Sequence, residues 1–325
     1  MSEHRDHGDH AEPDDGGEGG EGADRTPAEV IAVFGPTASG KSAVAEATAA
    51  RLGTDVISVD ALQVYRGLPI LTNQPTHATR LVAIRSLAEQ MTVGEFAPLA
   101  HREIDAVVAA HAAAVVTGGT GLYLRAALTD LDLPPAVEQE TVERAERAVD
   151  ADASGAHARL GELDPAAAAA VHPNDRQRLV RALALAESGG SLARAVDRLW
   201  SAETRRPTLV VGLVLGAEEL DRRIRERARR MFAAGVADEV RQALEQPLSR
   251  TVEKALGLRE IAALPAGEAL EGLVNRTRRY ARYQQKWMRR IPGVFLLDGE
   301  RDPDTIAGEI LARAGLAHVT PGTIV

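Results

Sequence analysis

The 325-residue chain contains no cysteine. This absence excludes a disulfide framework, a thiolate zinc site, an iron–sulfur cluster and any mechanism with a cysteine nucleophile. The chain also lacks an apolar run near the roughly 20 residues that span a bilayer, and no apolar stretch follows a basic N-terminus. We therefore expect a cytoplasmic protein without membrane contact, folded as one large or two medium domains.

Lysine is scarce, because only Lys41, Lys254 and Lys286 stand among 38 basic residues. Acidic charge is unevenly placed. Residues 1–26 carry nine Asp and Glu against Arg5 and Arg25, a net of −7, which leaves −2 of the total of −9 for the rest. We expect residues 1–27 to form a disordered acidic tail, since they cannot bury apolar surface. We also expect a flexible C-terminus over 316–325.

Short apolar runs alternate with helical patterns, which predicts a parallel α/β sheet flanked by helices. The predicted strands cover residues 30–34, 55–59, 112–117, 208–215 and 294–297. The predicted helices cover 43–52, 96–110, 217–245, 267–290 and 302–314. Residues 134–205 follow a Pro-Pro pair, are rich in Ala, Glu and Arg, and show no strand pattern. We interpret them as an inserted all-helical subdomain that divides the core into residues 28–133 and 206–315.

The strongest motif is GPTASGKS at residues 35–42, which fits G-x-x-x-x-G-K-[ST] between a strand and a helix. Glycines let successive backbone N–H groups wrap a phosphate, and the helix directs its positive end at the anion. Lys41 adds a cation, and the Ser42 hydroxyl can ligate Mg²⁺. The motif predicts a di- or triphosphate site that uses Mg²⁺, built from Gly35, Pro36, Thr37, Ala38, Ser39, Gly40, Lys41 and Ser42.

Asp60 ends the second predicted strand, so we expect it at the carboxyl edge of the sheet beside the phosphate site. There it can hold Mg²⁺ through water or act as a base towards a nucleophile. A solvated aspartate at a strand end is the alternative. Gln63 carries a carboxamide that can pair with an adenine edge, although this signal is weak by itself.

Two further patterns each allow two interpretations. Residues 117–123 (TGGTGLY) either let another group approach the backbone closely or form a tight turn from strand to helix. Arg223, Arg227 and Arg230 are spaced i, i+4, i+7 on a predicted helix. This spacing suits a pyrophosphate or a solvated charged face.

Residues 276–290 (RTRRYARYQQKWMRR) contain seven basic residues, no acid, and three interleaved aromatic rings, Tyr280, Tyr283 and Trp287. Cations that grip a backbone and rings that stack on bases suit a looped RNA. Alternatively, the rings face the core and the arginines face water. Residues 174–181 (NDRQRLVR) form a smaller cluster that fits either an RNA contact or a solvated helix start.

Six segments occur in one order over residues 30–300: GPTASGKS, ISVDALQVYRGLPI, TGGTGLYLRA, DPAAAAAVHPNDRQRLVRAL, ALGLREI and RTRRYARYQQKWMRR. This set resembles the tRNA dimethylallyltransferases. The resemblance implies a P-loop NTPase-like fold and Mg²⁺ as cofactor. It also implies transfer of a dimethylallyl group from dimethylallyl diphosphate to N6 of the adenosine 3′-adjacent to the anticodon, position 37 of tRNA. We expect a monomer whose partners are the tRNA anticodon stem-loop and the allylic diphosphate.

The resemblance also implies roles for particular residues. Asp60 would accept the N6 proton, and Thr37 would hydrogen-bond the bridging oxygen of the leaving group. Ser42 would ligate Mg²⁺, while Arg227, with Arg223, would hold the diphosphate. The positions implied to contact tRNA are Asp60, Ala61, Leu62, Gln63, Thr120, Gln177, Arg178, Leu179, Val180, Arg181, Arg279, Arg282 and Lys286.

The sequence departs from the family pattern around the first crossover. Gln74 stands where the family has a lysine, and Ala61 stands where it has a serine. Residues 78–84 lack the family's His-His pair, and an arginine expected near residue 141 is not evident. These differences bear on substrate affinity and rate more than on the fold.

Three other functions remain open at this point. An adenylate isopentenyltransferase acting on free AMP or ATP would not need the insert or the cluster at 174–181. A P-loop small-molecule kinase would need a nucleotide-base pocket and arginine-bearing lids. A non-catalytic RNA-binding protein would keep the fold without turnover.

Overall fold

The structure is a computed structural model that describes residues 26–135, 137–193 and 198–317. Residues 1–25 of the predicted acidic tail and 318–325 of the predicted flexible C-terminus lie outside the described residues. At the C-terminal side, Leu316 is buried, and its N–H donates to the Leu311 carbonyl at 2.8 Å. The packed core therefore continues one residue beyond the predicted boundary at 315.

A single parallel sheet of six strands in the order β3-β2-β4-β1-β5-β6 carries the fold. The strands are β1 Val30–Phe34, β2 Val56–Ser58, β3 Thr79–Arg80, β4 Ala114–Gly118, β5 Thr208–Val214 and β6 Phe295–Asp298. The five predicted strands are confirmed, each with small shifts at its ends or none. Strand β3 was missed because two polar residues at an edge carry no apolar run to detect.

Helices connect the strands and cover both faces of the sheet. In the described part of the chain they are α1 Lys41–Leu52, α2 Pro69–Thr72, α3 Val93–Ala110, α4 Gly121–Leu128, α5 Gln139–Ala151, α6 Ala153–Leu163, α7 Pro165–Ala170, α8 Arg176–Glu187, α9 Ala217–Ala233, α10 Val236–Ala243, α11 Arg250–Glu253, α12 Leu258–Ala263, α13 Ala266–Met288 and α14 Pro303–Arg313. Of these, none combines the length and the apolarity that crossing a membrane requires.

The prediction of one helix over 217–245 is wrong, because the chain breaks between α9 and α10. Gly235 has φ of 92°, in the left-handed region where glycine carries no steric cost. The chain turns there and α10 begins at Val236. The turn brings Glu239 of α10 to the N-terminus of α2, where its carboxylate accepts the backbone N–H groups of Ile70 and Leu71 at 2.7 and 2.8 Å.

Alternate residues of each buried strand face opposite sides of the sheet. Val33 and Val115 belong to the cluster that packs against α1 and α14. Ala32 and Val116 belong to the larger cluster that includes residues of α3, α4, α9 and α13. The segment between β2 and α3 therefore lies on the same side of the sheet as α13, opposite α1, which positions the site described below.

Helices α5–α8 pack on one another around a separate apolar cluster that includes Leu160, Leu179 and Leu183. No strand occurs among the described residues between β4 and β5. The parallel sheet with an inserted helical region matches the predicted fold class, while the exact boundaries at 134 and 205 stay predictions.

The segment that returns from the insert is fixed to the core by buried contacts. The guanidinium of Arg125, on α4, is buried and donates to the Leu199 carbonyl at 2.8 Å. Next to it, the Trp200 ring lies 4.7 Å from the Trp287 ring of α13, and the Arg290 guanidinium lies 3.6 Å from the Trp200 ring centre. The exit of the insert is therefore held against both α4 and α13.

Candidate active site

The glycine-rich loop at residues 35–40 connects β1 to α1. Ala38 and Gly40 have φ of 70° and 90°, so the chain turns sharply before α1 begins at Lys41. No side chain caps the first turn of α1 from Gly40, which leaves its N–H groups available to a ligand. The Ser39 hydroxyl is buried and has no hydrogen-bond partner in the described part of the chain. The loop has the form of an anion cradle.

A cavity of 350 Å³ opens beside this loop. Its polar wall is formed by Thr37, Asp60, Thr120, Arg227, Lys254 and Tyr280. Its apolar wall is formed by Leu71, Ile224, Met231 and Leu273. The carboxyl end of β2, the loop and the helices α9 and α13 all contribute, so the site depends on the complete fold.

Three charged groups, Lys41, Arg227 and Asp60, interact at this site, whose wall also includes Lys254 and the paired Arg276. Burial lowers the pKa of the Lys41 ammonium to about 8; Arg227 lowers it further, and Asp60 opposes the shift. Burial also lowers the pKa of Arg227 to about 10, with Asp60 again opposing. None of the three forms an ion pair with any described residue. The site holds an excess of buried positive charge, which favours a multiply charged anion.

The arginine series on α9 divides between the site and the solvent. Arg223 is ion-paired with Glu219 at 2.5 Å and donates to the Gly299 carbonyl at 3.1 Å. Its Nη1 lies 3.7 Å from the position that a Cβ on Gly40 would occupy. Arg227 faces the cavity, whereas Arg230 is exposed and paired with Glu226 at 3.3 Å. The pyrophosphate interpretation therefore fits Arg223 and Arg227, and the solvated interpretation fits Arg230.

The second glycine-rich turn is approached by side chains of this chain. A Cβ on Gly119 would lie 2.3 Å from Nε2 of Gln284, and a Cβ on Gly121 would lie 2.3 Å from the Trp287 ring. Both side chains come from α13. Both interpretations of this segment are therefore correct. The chain makes a tight turn into α4, and side chains of α13 lie close to its backbone.

Gln284 is a site residue that the sequence reasoning missed. Its Oε1 accepts the Thr37 N–H at 2.7 Å, its Nε2 donates to the Gly119 carbonyl at 2.8 Å, and it is 2% exposed. One buried amide thus ties the two glycine-rich turns together. The sequence does contain one indication of this role. Gln284 is spaced with Ala281 and Met288 on the buried face of the helix, where an apolar residue is expected, so a glutamine there suggests a buried hydrogen bond.

Tyr280 joins α13 to the polar wall of the cavity. Its hydroxyl lies 3.3 Å from the Thr120 hydroxyl. Burial, with a smaller effect of Asp60, raises the pKa of Tyr280 to about 12. The phenol therefore stays protonated at neutral pH and can donate a hydrogen bond within the cavity.

The residues after β2 and β4 that are predicted to contact tRNA separate into two groups. Asp60, Ala61, Leu62 and Thr120 all line the cavity. The Gln63 carboxamide instead accepts the Ser58 hydroxyl at 2.7 Å and donates to the Asn73 carbonyl at 2.8 Å. Its predicted contact with an adenine edge stays a prediction, and it requires these internal bonds to break.

The predicted contacts in the insert are also divided. Leu179 is 0% and Val180 is 6% exposed, so their side chains belong to the insert core and do not reach the surface. The Arg181 guanidinium donates to the Pro135 carbonyl at 2.9 Å. Gln177 and Arg178 are exposed at the start of α8. The side chains that this segment offers to a partner are therefore those of Gln177 and Arg178, with Arg181 beneath them.

Basic residues on α13 differ in their partners. Arg276 pairs with Glu260 at 2.9 Å, and Arg278 pairs with Asp221 through a bond of 2.7 Å. Arg279, Arg282 and Lys286 are exposed and form no ion pair with the described residues. These three are the ones predicted to contact tRNA.

Gln74 shows how the altered crossover is held. Its Nε2 donates to the Tyr65 carbonyl at 2.7 Å and to the Gln63 carbonyl at 3.2 Å. An ammonium donates to carbonyl oxygens in the same way. The glutamine thus fixes the loop after β2 without a charge.

The donors around Ser42 suit Mg²⁺. A small cavity of 70 Å³ beside the start of α1 is lined by oxygen-bearing side chains, among them Ser42, Glu46, Ser58 and Thr117. Hard oxygen ligands are those that Mg²⁺ prefers, with water and substrate phosphate completing its shell. The described residues contain no group of three or more His, Asp or Glu placed to hold a metal. This donor set fits an ion bound together with its diphosphate.

Comparison with known proteins identifies the family. The IPP transferase family model matches residues 63–291, and the Isopentenyl transferase model matches residues 28–97. A tRNA dimethylallyltransferase of Rhodococcus jostii is 36% identical over 84% of this chain and 92% of the relative. One of Thermobifida fusca is 39% identical over 82% and 89%.

Solved structures agree with these sequence matches. The tRNA isopentenylpyrophosphate transferase of Bacillus halodurans is 28% identical and has a TM-score of 0.60. The match covers 89% of this chain and 99% of the Bacillus halodurans chain. A eukaryotic dimethylallyltransferase acting on tRNA, 23% identical with a TM-score of 0.67 over 83% of this chain and 73% of that one, supports the P-loop NTPase-like fold. The chain therefore belongs to the IPP transferase family, together with the tRNA dimethylallyltransferases.

Proposed function

We propose that the protein transfers a dimethylallyl group from dimethylallyl diphosphate to N6 of the adenosine 3′-adjacent to the anticodon, position 37 of tRNA, and releases diphosphate. One observation carries this proposal. Asp60 lines a cavity together with Thr37 and Arg227, beside the glycine-rich cradle, and most of the wall of this cavity is apolar. Such a cavity can bind a diphosphate at the cradle and a short hydrocarbon against its apolar wall. The Asp60 carboxylate can serve there as a base for an amine.

The cradle and the cations would bind the diphosphate. Backbone N–H groups at the start of α1, the Lys41 ammonium and the guanidinium groups of Arg223 and Arg227 surround the space in front of the loop. The Ser42 hydroxyl would hold Mg²⁺, which would supply further positive charge beside the leaving group. Leu71, Ile224 and Met231 would receive the branched hydrocarbon.

In the proposed reaction the N6 nitrogen forms a bond to C1 of the allylic group while the bond between C1 and the bridging oxygen breaks. The Asp60 carboxylate accepts the proton that N6 loses. Negative charge develops on the bridging oxygen, where the Thr37 hydroxyl donates a hydrogen bond and Arg227 and Lys41 offset the charge. Gln284 holds the Thr37 backbone, and so the hydroxyl, in place.

The partner side of the proposal rests on the relatives and on the surface. The relatives' names specify tRNA, which favours tRNA over free AMP as acceptor and a prenyl transfer over a kinase reaction. Exposed cations on α13 and at the start of α8 would contact the anticodon stem-loop. We further propose that the protein acts as a monomer in the cytoplasm.

Asp60→Asn tests the proposal directly. The amide keeps the size of the side chain but cannot accept the proton, so kcat should fall by about 10²- to 10⁴-fold while the Kd for an unmodified anticodon stem-loop stays unchanged. The measurement is formation of N6-isopentenyladenosine from dimethylallyl diphosphate and Mg²⁺.

Asp55→Asn is the matched control, because Asp55 lies just before β2, outside the cavity, and is paired with Arg80. It should retain wild-type turnover. Wild-type turnover in Asp60→Asn would remove Asp60 from the mechanism, and wild-type protein that prenylates AMP but not tRNA would overturn the assignment of the acceptor.

A further inference from the structure

One aromatic ring on α13 is exposed, whereas its two neighbours are not. Tyr283 is 53% exposed. Tyr280 lines the cavity, and Trp287 packs over Gly121 and against Trp200. The Tyr283 ring has an edge contact with the Trp287 ring at 6.4 Å, yet about half of the side chain stays open to solvent and to a partner.

Exposed cations surround this ring. Arg279 and Lys286 lie at i−4 and i+3 from Tyr283, so they flank it on the same helix face, and Arg282 precedes it directly. All three are exposed without an ion pair to the described residues, in contrast to the paired Arg276. A ring framed by unpaired cations presents one π surface and several phosphate-binding groups in a single patch.

Tyr283 is also linked to the cavity through Tyr280. The Tyr280 and Tyr283 rings are 6.2 Å apart with an interplanar angle of 24°, and Tyr280 reaches the cavity wall through Thr120. A nucleotide whose base enters the cavity must leave its neighbours at this rim. Unpaired bases of an RNA loop stack on exposed aromatic rings, while cations hold the adjoining phosphates.

We propose that Tyr283 is a stacking platform for an unpaired base that neighbours the adenosine in the cavity, and that Arg279, Arg282 and Lys286 bind the phosphates beside it. This inference rests on the proposed function, because it takes the tRNA anticodon loop as the partner. It assigns base contact on α13 to Tyr283 rather than to Tyr280 or Trp287, whose rings already pack within the protein.

The experiment uses full-length protein and anticodon stem-loops that carry 2-aminopurine at one unpaired loop position at a time. For one position next to the target adenosine, fluorescence should be quenched on binding to wild type and to Tyr283→Phe, and not on binding to Tyr283→Ala. Tyr283→Ala should raise the Kd by about 5- to 150-fold, which corresponds to about 1–3 kcal/mol for one stacked base.

Two controls separate stacking from charge and from folding. Tyr283→Ala removes no charge, so the dependence of log Kd on log salt should keep the wild-type slope, whereas Arg282→Gln should reduce that slope by about 0.7. Leu244→Ala, which alters a 48% exposed side chain just after the end of α10, should leave both quantities unchanged.

The outcomes distinguish this inference from the proposed function. If the wild type binds and prenylates the stem-loop but Tyr283→Ala binds equally tightly with equal quenching, the platform is wrong and the proposed function stands. If quenching persists in Tyr283→Ala while Arg282→Gln alone weakens binding, the surface binds phosphates only. If the wild type does not bind the stem-loop, both proposals fail.

Discussion

The two glycine-rich turns of this protein look alike in sequence and differ in what occupies the space beside them. At residues 35–40 the turn leaves the first N–H groups of α1 uncapped, next to Lys41 and the cavity. At residues 118–121 the equivalent space is filled by Gln284 and Trp287 from α13. The first turn is open to a ligand, and the second is closed by the protein.

A glycine-rich turn therefore indicates that another group lies close to the backbone, but it does not indicate whether that group is a ligand or a side chain of the protein. In the first turn, a lysine and a serine follow the last glycine, and these supply charge and a metal ligand. In the second, the residues after the glycines are Leu122 and Tyr123, which supply neither a charge nor a metal ligand, and Tyr123 is buried in the core. The chemistry of the neighbouring residues, rather than the glycines, separates the two functions.

The open turn should bind its anion much more weakly when Lys41 loses its charge, and among the tests that compare the two turns this is the largest effect that we expect. Lys41→Met should raise the Kd for inorganic diphosphate by about 10- to 150-fold near pH 7, the range for a charge-assisted hydrogen bond. Because burial lowers the pKa of Lys41 to about 8, its ammonium is charged below that pH and neutral above it. Calorimetric titrations from pH 7 to 9.5 should therefore show the Kd of the wild type approaching that of Lys41→Met.

Diphosphate also titrates in this range, so the ratio of the two Kd values at each pH is the quantity to follow. Lys286→Met is the control lysine variant, since Lys286 is exposed on α13 and does not line the cavity. A ratio that stays constant with pH would mean that Lys41 does not contribute charge to the open turn.

Substitution of Gln284 removes the two hydrogen bonds that connect the turns. Gln284→Leu leaves the Thr37 N–H and the Gly119 carbonyl without their partner, so kcat should fall by about 10- to 100-fold with little change in KM for the allylic diphosphate. A loss of folding alone would lower the active fraction and leave KM and the pH profile unchanged. Titration of active sites with a bound inhibitor, alongside thermal unfolding, separates the two.

Gln285→Leu is the matched control, because the adjacent glutamine is only partly buried and touches neither turn. It should retain wild-type kcat. Gln284→Glu keeps an acceptor for the Thr37 N–H and loses the donor to Gly119, so a kcat between those of Gln284→Leu and wild type is expected.

Alanine at one glycine of each turn tests the comparison itself, with the smallest effects. Gly121→Ala places a methyl group against the Trp287 ring, so the free energy of unfolding should fall by about 1–3 kcal/mol from overpacking. Gly40→Ala meets no atom closer than 3.7 Å and carries only the cost of a left-handed alanine, about 1–2 kcal/mol.

The two alanine variants should differ in ligand binding. Diphosphate affinity should fall in Gly40→Ala, where the loop forms the site, and stay near the wild-type value in Gly121→Ala, measured well below the melting temperature. Equal losses of affinity in both variants would contradict the distinction between an open and a closed turn.

Most of the sheet was predictable because its strands are continuous apolar runs. Val30–Phe34 and Thr208–Val214 lie at the centre of the sheet, where burial on both faces demands such runs. Strand β3 and the break at Gly235 were not predictable in the same way, since a two-residue edge strand and a single left-handed glycine leave almost no trace in hydrophobic periodicity.

The site was predictable where its residues are adjacent in sequence and not where they meet through the fold. The loop at 35–42 and Asp60 carry local signatures of a strand end. Gln284 accepts a hydrogen bond from Thr37, which is 247 residues away in the chain. The sequence around either residue gives no indication of this contact. Leu179 and Val180 show the opposite error, because a matching segment does not say which of its side chains face inward.

The junction between Trp200 and Trp287 has a practical consequence. The chain contains two tryptophans, and they lie together where the strand-forming core meets the segment returning from the helical insert. Selectively excited indole emission from the unmodified protein therefore originates at this one junction. A stopped-flow fluorescence trace recorded during RNA association would therefore report on this junction without any introduced label.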